Sequence, residues 1–158
     1  MQKALLILSA MAAALSTAMA ASNGGDARKR PESPLPLQEF MGHVLQRNAE
    51  QLWRWTAYEI DEKGERSGRP TNDHEWEDAE SDALTIQQLT YVLEQSTLRP
   101  DDKRWDDHLE ALRRAATASA DAAERKDYEA LEKAGNDLND QCVACHLTFA
   151  PELETPPS

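Results

Sequence analysis

The two cysteines of the chain lie close together near its C-terminus and are followed directly by a histidine. The stretch "NDQCVACHLTF", residues 139–149, contains the pattern CxxCH, formed by Cys142, Cys145 and His146. Thiol and imidazole groups are both nucleophiles and metal ligands. This spacing is therefore compatible with three kinds of chemistry: a redox disulfide, part of a zinc site, or covalent attachment of a haem.

The surroundings of the motif disfavour the first two alternatives. Thiol oxidoreductases carry CxxC at a helix N-terminus in a βα fold, whereas this pair comes late in a helical pattern and no clear strand alternation is visible. A disulfide between Cys142 and Cys145 would close a loop too short to constrain the unfolded chain much. Structural zinc needs further ligands, and the other histidines are scattered along the chain, at His43, His74 and His108.

Covalent haem attachment fits the motif better. In exported proteins CxxCH is the signature of c-type haem attachment. Positions i, i+3 and i+4 of a helix share one face, so two thiols can bond to the two vinyl groups while the histidine nitrogen reaches the iron. The motif therefore predicts one covalently attached haem c, with its iron, as the cofactor.

The first twenty residues, "MQKALLILSAMAAALSTAMA", predict a cleaved secretory signal. One basic residue, Lys3, precedes an apolar run that is shorter than the ~20 residues needed to span a bilayer, and the segment ends in a small-x-small pattern. We expect export to the periplasm, with cleavage after about Ala20. Residues 21–35 predict a flexible leader and residues 151–158 a disordered tail, because both mix proline and charge without apolar periodicity.

The chain is acidic, with a formal net charge of −12 at pH 7. This sign disfavours nucleic acid as a partner and would suit a redox partner protein with a basic docking patch. No segment after the signal is apolar enough for stable membrane insertion. No Ser/His/Asp arrangement, phosphate loop or pair of catalytic carboxylates stands out, so we do not expect an enzyme. The sequence is compatible with a monomer or a homodimer.

Residues 36–150 predict an all-α domain, an antiparallel up-down-up-down four-helix bundle. Four amphipathic stretches with short polar links make this arrangement the simplest one. The first runs from about Leu37 to Ile60. The other three are predicted to begin after Asn72, which has Glu75 at a capping-box spacing, after Asp101 or Asp102, and near Tyr128.

With this architecture and "CVACHLTF" on its last helix, the chain resembles the class II c-type cytochromes, the cytochrome c-prime group with its low-spin relatives, over the whole predicted bundle. The resemblance implies that Cys142 and Cys145 form the thioether links and that His146 is the proximal iron ligand. The family commonly has an aromatic residue three positions after the histidine, which Phe149 matches, and then a basic residue, where this chain has Ala150.

Met41 is the only methionine that remains after removal of the signal, and it lies on the apolar side of the first helix. In the predicted bundle the first and last helices are antiparallel. Met41, ~6 Å from one helix end, and His146, ~4.5 Å from the adjacent end, then come to the same level. Because some family members use a methionine of this helix as sixth ligand, the resemblance implies Met41 as the distal iron ligand. His43 is rotated ~200° from Met41 and is expected to face solvent.

A His/Met-ligated iron predicts electron transfer, since it changes oxidation state with little ligand rearrangement. The alternative is a five-coordinate iron that Met41 only covers, as in the high-spin family members, which would bind small gases such as nitric oxide. A helical interaction domain without haem is the third alternative. The four tryptophans are expected to pack in the core and around the haem: Trp53, Trp55, Trp76 and Trp105.

Overall fold

The computed structural model describes residues 35–95, 97 and 99–153. The predicted signal, nearly all of the predicted leader, and residues 154–158 of the predicted tail lie outside the described residues. At the start of that tail, Pro151–Leu153 form a 3-10 turn. The described chain is mostly helical, as predicted, and contains in addition one small sheet of two strands.

The first helical segment is continuous but changes type along its length. Helix α1, Leu37–Phe40, passes into a π-helical turn, Met41–Leu45, and then into α2, Gln46–Arg54. We call these three parts together the N-terminal helix. Turns of π-helix are rare and frequently occur at functional sites. The core side chains of this helix are Phe40, Leu45, Ala49 and Leu52.

The prediction that the first helix extends to about Ile60 is wrong, because the helix ends at Arg54. Strands β1, Tyr58–Asp61, and β2, Gly64–Ser67, follow it as an antiparallel hairpin. Every residue of both strands is exposed, so their apolar side chains do not serve the core. The turn between the strands uses Gly64 at a φ of 113°, a conformation that glycine adopts without steric cost.

The three remaining helices begin where the sequence predicts. They are α3, Asp73–Gln95, α4, Lys103–Glu124, and α5, Tyr128–Phe149. The side-chain oxygen of Asn72 accepts a hydrogen bond from the Glu75 N–H at 3.1 Å before α3. Asp102 caps α4 and Asp127 caps α5 in the same way, at 2.9 and 3.1 Å. These carboxylates and amides satisfy N–H groups that have no partner within the helix.

Side-chain contacts show that α4 runs antiparallel to both of its neighbours. Lys126 pairs with Asp73 at 2.7 Å, so the end of α4 lies beside the start of α3. The ring of Trp105 contacts the ring of Phe149 with centroids 5.3 Å apart, so the start of α4 lies beside the end of α5. The described helices are therefore compatible with a helical bundle.

Small residues on α4 allow its neighbours to approach closely. Leucine and tryptophan side chains fill the space at the start of α4, whereas its second half contributes almost only small buried groups: Ala115, Ala116, Ser119, Ala120, Ala122 and Ala123. Side chains of this size bring helix axes together and leave little volume to fill between them. None of the described helices combines the length and the apolarity that crossing a bilayer requires.

Candidate functional site

The CxxCH motif lies on the last turns of α5, in a stretch that contains no fully buried residue. Residues 141–149 include no buried residue, and Cys142, Cys145 and His146 are all half-buried. The earlier turns of the same helix place four residues in the core: Leu131, Ala134, Gly135 and Leu138. The fully buried residues of this helix therefore end at Leu138, and the motif follows in a half-buried stretch.

In the structure Cys142 and Cys145 do not form a disulfide. Burial raises the pKa of the Cys145 thiol above its ordinary value. A nucleophilic cysteine of an oxidoreductase has the opposite property, a lowered pKa, which a helix N-terminus or a neighbouring positive charge provides. The electrostatics of Cys145 therefore disfavour a thiolate and keep the sulfur protonated at neutral pH.

One contact fixes the side of α5 that faces the N-terminal helix. The indole N–H of Trp53 donates a hydrogen bond to the backbone oxygen of Gly135 at 3.1 Å. About three full turns of helix separate His146 from Gly135. His146 therefore lies ~16 Å further along α5 and within ~20° of the same side. The histidine of the motif therefore lies on the side of α5 that Trp53 contacts.

Met41 is the first residue of the π-helical turn and is half-buried. It packs against the same hydrophobic core as Cys142. Counted along the N-terminal helix, Met41 is ~18 Å from Trp53, towards the start of that helix. His43 is exposed as predicted, with 78% of its side chain accessible and an ion-pair distance of 3.2 Å to Glu39. Of Met41 and His43, only Met41 packs against the interior of the protein.

The end of α5 is surrounded by side chains from the start of α4. Phe149 is in edge contact with Trp105 and with His108, whose centroid is 5.9 Å away. The guanidinium group of Arg104 lies over the Phe149 ring at 5.8 Å. Arg104 thus brings a positive charge from α4 close to the end of α5, where Ala150 follows Phe149 in this chain.

The four tryptophans differ in burial and in their hydrogen bonds. Trp76 and Trp105 are buried, which confirms the prediction that they pack in the core, while Trp53 and Trp55 are half-buried. The indole N–H of Trp55 donates to Asp82 at 2.7 Å. The indole nitrogen of Trp105 is buried and has no hydrogen-bond partner among the residues that the structure describes. Sequence periodicity places Trp105 inside but contains no signal for this unsatisfied group.

The donor set of the motif fits a haem better than a bare metal ion. Among the residues that the structure describes, no three or more His, Cys, Asp or Glu side chains are grouped to hold a metal ion. A haem requires no such group, because its own nitrogens supply four ligands and the protein adds only axial ones. Two thiols that are not joined in a disulfide and an imidazole, all on one half-buried stretch of helix, are the groups that covalent attachment and axial ligation need.

No family model, curated protein or solved structure matches this chain. The features of the chain that bear on its function are a half-buried CxxCH on the last turns of α5, a methionine in a π-helical turn, and an aromatic cluster around Phe149.

Proposed function

We propose that this protein is a periplasmic, monohaem c-type cytochrome of the class II kind that transfers electrons. The observation that carries the proposal is the CxxCH on a half-buried face of the last helix, with no disulfide between Cys142 and Cys145. Cys142 and Cys145 would hold the haem through thioether links. His146 would be the proximal iron ligand and Met41 the distal one.

The proposal includes an up-down-up-down bundle in which the N-terminal helix is antiparallel to α5. The hydrogen bond from Trp53 to Gly135 supplies the point from which both helices can be measured. From that contact, Met41 lies ~18 Å along one helix and His146 ~16 Å along the other, a difference of less than one helical turn. Antiparallel helices would therefore bring the two axial ligands to one level.

The proposal places a flat cofactor beside the last turns of α5. The fully buried residues of this helix end at Leu138, and the motif residues after it are only half-buried. A large apolar ring inserted beside them would cover these half-exposed surfaces and gain free energy from their removal from water. The bound haem supplies the one-electron chemistry.

The residues of the chain have separate tasks in this scheme. In attachment, each thiol adds across one vinyl double bond: the sulfur bonds to one vinyl carbon and the hydrogen goes to the other. The raised pKa of Cys145 keeps that thiol protonated for this addition. His146 binds iron through an imidazole nitrogen that carries no proton. The thioether of Met41 is neutral and has no proton to lose, so ligation by it does not depend on pH.

Mass spectrometry of protein produced with a cytochrome c assembly system tests attachment. We expect the mature chain to carry the mass of one haem, and the double variant Cys142→Ala, Cys145→Ala to carry none. Wild-type protein without the added mass would contradict the proposal and leave the haem-free helical domain.

The distal ligand is tested by the absorption spectrum of Met41→Ala. We expect a low-spin wild-type iron that becomes high-spin in this variant, while Val44→Ala, a matched change in the same π-helical turn, stays low-spin. An unchanged spectrum in Met41→Ala would remove Met41 from the iron. A high-spin wild-type spectrum that shifts on addition of carbon monoxide would instead support the gas-binding alternative, with Met41 as a cover.

A further inference from the structure

Two buried donors lack a hydrogen-bond partner in the part of the chain that the structure describes: the indole Nε1 of Trp105 and the Nε of Arg99. Trp105 is 2% exposed, so bulk water does not reach its ring. Buried polar groups in native proteins are almost always paired, and an unpaired one costs free energy. The position of these two donors therefore indicates where an acceptor is missing.

Both donors lie at the end of the molecule that carries the CxxCH motif. The guanidinium group of Arg99 pairs with Asp106, in the first turn of α4, at 2.7 Å. Trp105 is the preceding residue, and its ring contacts Phe149, which lies one helical turn beyond His146. The unsatisfied donors and the proposed haem ligands therefore occupy neighbouring positions.

Two carboxylates near the start of α4, Asp102 and Asp106, already have partners. Asp106 is paired with the terminal nitrogens of Arg99, and Asp102 with the N–H groups of Arg104. A haem carries two propionate carboxylates, which accept hydrogen bonds and cannot donate them when ionised. An acceptor of this kind is what an indole N–H and a guanidinium Nε require.

We propose that the indole N–H of Trp105 donates a hydrogen bond to a haem propionate, and that Arg99 supports the same carboxylate through its free Nε. This inference rests on the proposed function, because the acceptor belongs to the cofactor. It assigns Trp105 as a positioning residue that fixes the haem at its polar edge, whereas Cys142, Cys145 and His146 fix it at the vinyl groups and the iron.

The test compares two haem-loaded variants that each lose one indole N–H. Trp105→Phe keeps an aromatic ring against Phe149 but removes the unpaired donor. Trp53→Phe is the matched control, since it removes a donor that already has a protein acceptor in Gly135. The readouts are the propionate bending band in the resonance Raman spectrum and the pH dependence of the reduction potential, which reports propionate ionisation.

A donor that binds the ionised carboxylate lowers its pKa, so its loss raises that pKa. We expect Trp105→Phe to shift the propionate pKa upward by about one unit and to move the bending band, while Trp53→Phe changes neither. The inference would be overturned if the Trp105→Phe protein retained its haem and kept the wild-type propionate pKa and bending band. That result would indicate an internal water as the acceptor. A chain that never acquires haem would overturn the proposed function instead, and this inference with it.

Hydrogen exchange provides a second measurement that needs no substitution. In the haem-loaded wild-type protein, the Trp105 indole proton should exchange at least about tenfold more slowly than in the chain without haem, since exchange requires the hydrogen bond to open. Equal exchange rates in the two forms would overturn the inference even if Trp105→Phe failed to fold.

Discussion

The contact between α2 and α5 can be tested by adding one methyl group at Gly135. This glycine is buried in α5, and a Cβ placed on it would lie 3.7 Å from Oγ1 of Thr56 and 3.9 Å from Cδ1 of Trp53. These are ordinary van der Waals distances, so an alanine side chain fits without displacing either neighbour. Alanine is favoured over glycine in a helix interior by about 1 kcal/mol.

We therefore expect Gly135→Ala to raise the free energy of unfolding by about 1 kcal/mol and the thermal midpoint by about 4 °C. Urea unfolding followed by circular dichroism measures the change, and an unaltered dependence on urea would show that the folded state is otherwise the same. Gly68→Ala is the matched opposite case. A Cβ there would lie only 1.5 Å from the backbone oxygen of Arg54, so a loss of about 1–3 kcal/mol is expected.

A destabilising effect of Gly135→Ala would refute this reasoning. It would mean that Thr56 and Trp53 lie closer to α5 than the structure places them. The distances counted along the helices to Met41 and to His146 would then have no common starting point. The proposal that the two axial ligands lie at one level would lose its support.

Three further results are expected. Asp127→Ala removes the cap that accepts from the Ala130 N–H and should lower the free energy of unfolding by about 1 kcal/mol, measured by urea unfolding. Hydrogen bonds from Arg104 lower the pKa of Asp102, so its stabilising effect is present above the unfolded value of 3.8 and is lost as pH falls through the lower folded value. Asp102→Asn, which keeps the capping oxygen, should therefore unfold less steeply with acid below about pH 4, and an unchanged acid titration would contradict this. In the haem-free chain, Cys145 should react with iodoacetamide several-fold more slowly at pH 8 than the unfolded chain does, and equal rates would show that burial does not raise its pKa.

The starts of the three long helices could be predicted from the sequence because each depends on a few adjacent residues. A capping side chain acts on N–H groups only two or three positions away, as Asn72 and Asp102 do. The apolar repeat of α5 is also visible in the sequence, and in the structure it brings Cys142 against the core while the motif as a whole is half-buried. Local chemistry and the helical period decide these features.

The features that escaped prediction depend on the rest of the molecule. Tyr58 and Ile60 continue a plausible helical pattern in the sequence. In the structure they lie in the fully exposed hairpin and do not pack in the core. The π-helical turn that begins at Met41 has no sequence signature beyond a glycine. The unsatisfied nitrogens of Trp105 and Arg99 depend on which groups the folded chain brings beside them. The residue type alone does not reveal whether a donor finds a partner.

The hairpin of β1 and β2 leaves the helical body and returns to nearly the same place. The N–H of Gly68 donates to the backbone oxygen of Ala57 at 2.8 Å, and this hydrogen bond joins the two ends of the hairpin. A fluorescent label, an affinity tag or a whole second domain inserted at the tip beside Gly64 should therefore be tolerated, since exposed tips whose ends are tied together accept insertions. The same fold thus provides an attachment point for a reporter, separated from the CxxCH by about half the length of the chain.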